Sequence, residues 1–553
     1  MMKRTLVYLA ILLFPVALHA QVAKQVEVEK EYIPTVSTAQ KLSIIPDMTD
    51  TVMMRPEIDY SFMPRSYETS LMTENFKPAT IAYWDFVRSR MLYVKAGAGV
   101  PLTSEADAYI STYRKDRGYA MAYVNHWGDY RNRTALDGVT PVKKHTSQMN
   151  NRLGGRAGLF MGRHLLEVDI YGNEQLRHRY PTTGERISFG DVNGKVRVGD
   201  DFTDLSRFNF NVELGGKLYG HNARLESSGK FNQSNLFAKA AIGKKNFRVH
   251  AGYEGSYGQG ALAAYRNNIF MAGARFGLDR PRFDFILGAD YYYDNVGELT
   301  DSPHRVFPHM RMMWKNAKQG FVPYVEVDGG IERHDFASLS YVNPYIVASE
   351  DMATKLSSLP NEAIYNGRVG FGGNVGKGVF AYNLSAELSI ANDHVYWYND
   401  GADYNFELAY QHSLRLNGDI VFRPSGWFVA EIGVGAYVWE NYDNFYSSRP
   451  NFDLDVRLGY TGRRLSVGAN LEFQNGIKWM TLGERETPEG IVPDFVLKQT
   501  PTTFIVGLDA EWRINDHWGV YAQARNLTGG KIYEWLHYYD DSVQGLVGVK
   551  YSF

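Results

Sequence analysis

Arg464-Leu465-Ser466-Val467-Gly468-Ala469-Asn470-Leu471-Glu472-Phe473-Gln474 places an apolar side chain at every second position and a small or polar one between. A strand sends successive side chains to opposite faces, whereas a helix would need apolar positions spaced by 3.6. This stretch is therefore a strand with one apolar and one wet face.

The same period extends through most of the chain. In Arg282 to Asp294, Phe283, Phe285, Leu287, Ala289, Tyr291 and Tyr293 alternate with Asp284, Gly288 and Asp290. Tyr404 to Phe422 keeps the alternation throughout, as do Asn451 to Tyr460, Phe504 to Arg513, Phe208 to Leu218 and Val379 to Ile390. These runs of about 10 to 14 residues exceed the roughly 5 to 6 usual in globular sheets and suit tilted strands crossing a bilayer. The connections sort into two sets. Gly243 to Asn246, Asp279 to Pro281, Gly376 to Gly378, Pro424 to Gly426, Thr461 to Arg463 and Ile514 to Asp516 are tight, whereas 128–151, 173–186, 333–364, 391–403, 476–499 and 526–540 are long. Alternating short and long connections belong to outer-membrane barrels. The expected fold class is all-β: a transmembrane antiparallel β-barrel of about 22 strands, the first starting near Leu92 and the last near Ser542, with room for an extra hairpin in 218–233.

The N-terminus reads as an export signal: Lys3 and Arg4, an apolar run from Thr5 to Val16, and a small residue at Ala20. Residues 1–20 are thus a signal peptide, 21–91 an extended periplasmic or lumenal segment, and 92–553 the barrel. Pro34, Pro46, Pro56, Pro64 and Pro78 interrupt both helix and ladder in the middle segment. Within it, Val26-Glu27-Val28-Glu29 alternates and is a candidate partner strand. No apolar run after Ala20 is long enough for a membrane helix. The mean hydropathy of −0.34 fits a barrel, in which only every second residue meets lipid. The chain has no cysteine, which leaves neither disulfides nor an acylated first Cys. Its 59 basic and 61 acidic residues give no reason to expect nucleic acid as a partner.

No catalytic grouping emerges. The 14 histidines show no His-x-x-x-His or Glu-x-x-His spacing, and no Gly-x-Ser-x-Gly elbow occurs. The chain reads as a non-enzyme without cofactor or metal; Asp400 to Asp403 and Asp540-Asp541 are ordinary solvated turns. Aromatic clusters at Tyr291 to Tyr293, Tyr396 to Tyr398, Tyr442 to Tyr446 and Tyr533 to Tyr539 read as an interfacial girdle. The polar face holds Glu213, Glu254, Asp290, Glu326, Glu387 and Asp453 among an excess of acids, which points to a cation-favouring lumen.

The chain ends in an alternating run, Val543, Gly545, Val547, Val549, Tyr551 and Phe553. Residues 92–553 resemble the barrel of TonB-dependent outer-membrane receptors in the form found in Bacteroidota. The likeness rests on Ala524-Arg525-Asn526-Leu527, Gly548 to Phe553, and Tyr341-Val342-Asn343-Pro344-Tyr345. It implies 22 strands, outer-membrane lipids and the barrel-assembly machinery as partners, and Val549, Tyr551 and Phe553 as the barrel-assembly signal. Receptors of that family carry a plug of well over a hundred residues, and 21–91 shows no plug motif. The expectation is an integral outer-membrane barrel, receptor-like without its own plug. It would serve transport or an outer-membrane complex, with a periplasmic or outer-membrane protein as partner. The alternative is a scaffold subunit with no transport of its own.

Overall fold

The computed structural model describes residues 91–553, apart from 113–116, 138–139, 180–184, 201, 203–205, 297–302, 316–319, 377, 401–402, 441–448, 476 and 488–489. The expected signal peptide at 1–20, nearly all of the 21–91 segment and Val26 to Glu29 lie outside the described residues.

The alternating stretches form one antiparallel sheet that closes on itself. Its 24 strands include a hairpin, Lys478–Thr487 with Gly490–Gln499, joined only by a short parallel bridge at Tyr398↔Met480 and Asn399↔Thr481. The remaining strands are the 22 of the wall. Each pairs with its chain neighbour, and the last, Gln544–Ser552, closes on the first, Leu92–Val100, through Val94↔Tyr551 and Ala96↔Val549. Beyond that ladder, Leu92 N–H donates to the Phe553 carbonyl at 3.0 Å, and Phe553 N–H returns a bond to Leu92 at 2.8 Å. Closure thus leaves neither the first nor the last strand as an edge with unmet backbone groups, which hydrocarbon would penalise.

The outward faces carry the apolar half of the pattern: Leu153, Val192, Leu214, Leu236, Leu287 and Val547 are exposed. Phe208, Phe247, Trp314, Trp427, Trp512 and Trp518 ring the rim that holds both ends of the barrel chain. Every tight connection named above lies at this rim, and every long one at the other.

Two expected loops are ladder instead. Phe380–Asp400 and Asp403–Ser425 run 21 and 23 residues. At about 3.3 Å per residue the longer spans roughly 75 Å of chain, far more than an apolar band about 25 Å tall needs. Residues 391–400 are thus the overhanging end of a strand paired in a hairpin, kinked by a bulge between Ala391 and His394. Residues 173–178 are likewise strand, and 218–233 holds no extra hairpin: Phe208–Leu225 and Gly229–Lys244 meet at a tight turn. Residues 128–151 and 526–540 fold into small hairpins, Asn132–Asp137 with Thr140–His145 and Ile532–Trp535 with Tyr538–Asp540. The 333–364 connection holds two helices, α1 (Phe336–Val342) and α2 (Glu350–Ser357), which an all-β reading omits.

Candidate functional site: a folded cap above a charged wall

The helical connection begins with Asp335, whose carboxylate accepts from Ser338 N–H at 2.7 Å while the Ser338 hydroxyl accepts from Asp335 N–H at 3.1 Å. This reciprocal cap satisfies N-terminal amides that have no partner inside α1. Ser349 caps α2 by accepting from Met352 N–H at 3.1 Å, with Glu350 and Asp351 in its positive first turn. Neither helix is long enough to stand alone in water, so tertiary packing must hold them.

That packing comes from opposite parts of the ring. Phe336, Leu339, Tyr345, Ile346, Met352 and Leu356 are buried in one cluster with Phe189, Tyr219 and Phe231 from one arc of the wall. Tyr404 and Phe406 enter from the long hairpin, and Trp479, Trp535 and Tyr538 from the later connections. Phe336 lies 4.8 Å from Phe231, ring centre to ring centre, and edge-on to His221 at 5.4 Å. Tyr345 stacks on Tyr538, and Trp535 meets Trp397 at 5.8 Å and Trp479 at 5.6 Å. Because its members come from across the ring, the cluster lies over the mouth as a small packed core. The girdle expectation holds for the exposed Tyr291 but fails for Tyr396 and Tyr538, which are buried. Alternation puts Tyr404 and Phe406 on the apolar face of their strand, yet cap residues rather than lipid cover them. Residues 442–446 lie outside the described residues.

Polar groups fasten this core to the wall. Asp335 also accepts from Arg333 Nε at 2.9 Å and Asn235 Nδ2 at 3.2 Å. Asn361 donates to Asp294 at 2.6 Å and exchanges bonds with Asn267 at 2.7 and 3.1 Å. Tyr341 donates to Asp191 at 2.5 Å. Arg179 pairs with Asp403 and donates to the Ile346 carbonyl at 2.8 Å, and Arg131 bridges Asp129 and Asp540. Asp403, still half exposed, and Asp540 are thus each paired with an arginine. His334 donates from Nδ1 to the Pro360 carbonyl at 2.8 Å and faces Glu362 from Nε2 at 3.5 Å. Burial alone would lower this imidazole, but Glu362 and Pro360 outweigh it and raise it above the ordinary histidine value.

Below the cap the inward face is laddered with ion pairs. Arg156–Asp169 stands at 2.6 Å, Lys239–Glu254 at 2.7 Å, Arg275–Asp290 at 3.1 Å, Arg368–Glu387 at 2.7 Å and Arg415–Asp453 at 3.0 Å. Lys195, Lys239, Arg311, Arg368 and Lys550 meet Glu213, Glu254, Glu326, Glu387 and Glu511. Many of the acids read along single strands therefore pair with bases on neighbouring ones, which weakens the field those acids would exert alone.

Of the residues singled out in the sequence, Val549 and Tyr551 sit on the closing strand and Phe553, 61% exposed, directly follows it. Among the described residues no group of three or more His, Asp or Glu side chains is placed to hold a metal ion. The sequence reading missed the cap. Its local traces were the Asp335-x-x-Ser338 pattern, Ser349 before Glu350, and the Met352/Leu356 spacing.

No family profile and no curated protein matches this sequence. Solved structures do match its fold. The siderophore receptor PirA from Acinetobacter baumannii aligns with a TM-score of 0.62 at 11% identity, over 84% of this chain and 80% of that one. FpvA of Pseudomonas aeruginosa, bound to heterologous pyoverdines, aligns at 0.60 and 11%, over 84% and 71%. The FrpB iron transporter from Neisseria meningitidis aligns at 0.60 and 11%, over 84% and 81%. At such identity the likeness is one of fold: a closed 22-strand antiparallel barrel, which places the chain in the outer membrane.

Proposed function

We propose that this chain is a receptor-like outer-membrane barrel that does without a plug of its own and serves transport, its mouth governed by the cap. The observation that carries this reading is a charge-paired wall lying beneath a folded core of loops at one rim only. A wet, ion-paired lumen suits passage of polar solutes, and a structural post would have no use for it. In this reading residues 1–20 direct export, the tight rim and residues 21–91 face the periplasm, and the cap faces the exterior. Val549, Tyr551 and Phe553 guide assembly, and Val26 to Glu29 offers a strand to a periplasmic partner. The siderophores and iron named for the neighbours fix no substrate here.

The test is conductance of the purified full chain in planar bilayers, beside variants lacking residues 21–90 or carrying Phe336→Ala in the cap. The expected result is low conductance in the parent, a rise in one or both variants, and weak ion selectivity because the wall charges are paired. Silence in all three, with stoichiometric proteins co-purifying from native membranes, would replace transport with the scaffold reading.

A further inference from the structure

The barrel wall has one weak seam. Strands His304–Trp314 and Val322–Glu332 share only four register pairs, Met310↔Val327 to Met313↔Tyr324. Their outer neighbours give each of them eleven pairs, and among the described residues no other seam of the wall is as short. The cause lies in the sequence: two positions above Met310 is Pro308, which has no N–H to give, and opposite it would stand Gly329-Gly330.

An aromatic ring fills the place of the missing ladder. Phe307 is 0% exposed although its strand is part of the wall. It stacks on Tyr365 at 4.7 Å and meets Tyr292 edge-on at 5.3 Å. Alternation puts Tyr292 with the lumen-facing Asp290, and Tyr365 on the outer face with its partner Gly329. Phe307 therefore bridges the two sides of the wall. Gly329 is what lets it do so, since a Cβ there would stand 2.7 Å from the Phe307 ring and 2.6 Å from the Ile364 carbonyl oxygen.

Outside the bolt lies a cavity of about 690 Å³. Val306, 59% exposed, Tyr365, Leu408 and Tyr410, 51% exposed, make its apolar side. His304, Asn392 and the Arg305–Asp393 pair at 3.6 Å make its polar corner. Val306 is level with Tyr291 of the girdle, so the cavity opens where hydrocarbon gives way to headgroups.

We propose that this seam is a lateral entry for a long-chain amphiphile with a small polar head, which lodges in the cavity and passes the wall when Phe307 swings aside. Such a molecule suits both surroundings: its chain matches the lipid-facing side and its head the polar corner and the ion-paired lumen.

The chain has no native cysteine, so a lock can be built cleanly. The full chain is placed in phosphatidylcholine vesicles with palmitic acid bearing a terminal diazirine, photolysed, and mapped by mass spectrometry. Label is expected to concentrate on Val306, Tyr365 and Tyr410 and to reach lumen-facing Tyr292. A disulfide between His309→Cys and Asp328→Cys, which would face each other if the ladder continued, should abolish label at Tyr292, and reduction should restore it. If that pair fails to assemble, Phe307→Trp, which enlarges the bolt, should lower Tyr292 labelling several-fold. Even labelling around the girdle, or Tyr292 labelling that neither variant changes, would overturn the proposal.

Discussion

The wall and the cap of this protein are made by opposite rules. In the wall each strand is legible alone, because lipid rewards an apolar outer face and backbone pairing is obligatory in hydrocarbon. In the cap, helices of 7 and 8 residues and scattered aromatic side chains acquire structure only from one another. The wall resists perturbation through many repeated ladders. The cap concentrates its stability in a few rings and buried polar groups, and so is the part suited to open.

The contrast predicts a ranking of effects. The largest belongs to closure. Deleting Tyr551 to Phe553 removes the Val94↔Tyr551 pairing and the Phe553 bonds to Leu92. The folded, heat-modifiable band should be lost from outer-membrane fractions. Normal insertion of that truncation would show that the wall does not depend on its final seam.

The cap should come next, and separately. Phe336→Ala empties a fully buried site and should cost about 3–5 kcal/mol of cap stability. Hydrogen exchange should rise across residues 333–361 while the wall keeps its protection. Equal loss in both regions would mean that cap and wall unfold as one unit. Asp335→Ala removes the helix cap, leaves Arg333 only the more distant Glu254 at 3.7 Å and takes the acceptor of Asn235, for about 1–3 kcal/mol in the same measurement.

A smaller effect should follow pH. The folded-state pKa of His334 is raised, so its contribution is present in full below about 6.5, the ordinary histidine value. It is lost as pH rises through the raised value. Glu362 and Glu332 supply the facing charge, and His394, 2.6 Å from Glu362, competes for the same carboxylate. Exchange in 333–361 should therefore quicken on going from mildly acidic to alkaline buffer, and His334→Gln should flatten that dependence. A cap equally protected at both ends of the range would remove the imidazolium from the account.

The smallest effect belongs to the tight rim. Arg423–Glu431 is a partly exposed pair at 3.1 Å, and Arg423→Ala should change thermal stability by no more than about 0.5 kcal/mol.

Much of this molecule follows from the order of its residues. The period of two in segments such as Leu465–Gln474 fixed strand, face and medium together, since one slip in register would turn every apolar side chain inward. Counting such segments returns the 22 strands of the wall, and sorting their connections separates the two rims. Local reasoning stopped where the deciding partners are distant in sequence. Residues 391–403 were expected as a loop because polar residues break the pattern, but above the membrane no lipid enforces alternation and pairing alone extends the hairpin. Tyr404 and Trp535 are buried because they meet one another at 5.0 Å across more than a hundred residues. Lumen charge could not be summed along single strands, because Arg368 is neutralised by Glu326 and Glu387 on the strands to either side. The sequence by itself determined the barrel, because lipid acts on each strand separately. Only the tertiary structure decided the cap, the charge of the wall and the seam at Phe307, because each depends on which strands and loops become neighbours when the ring closes.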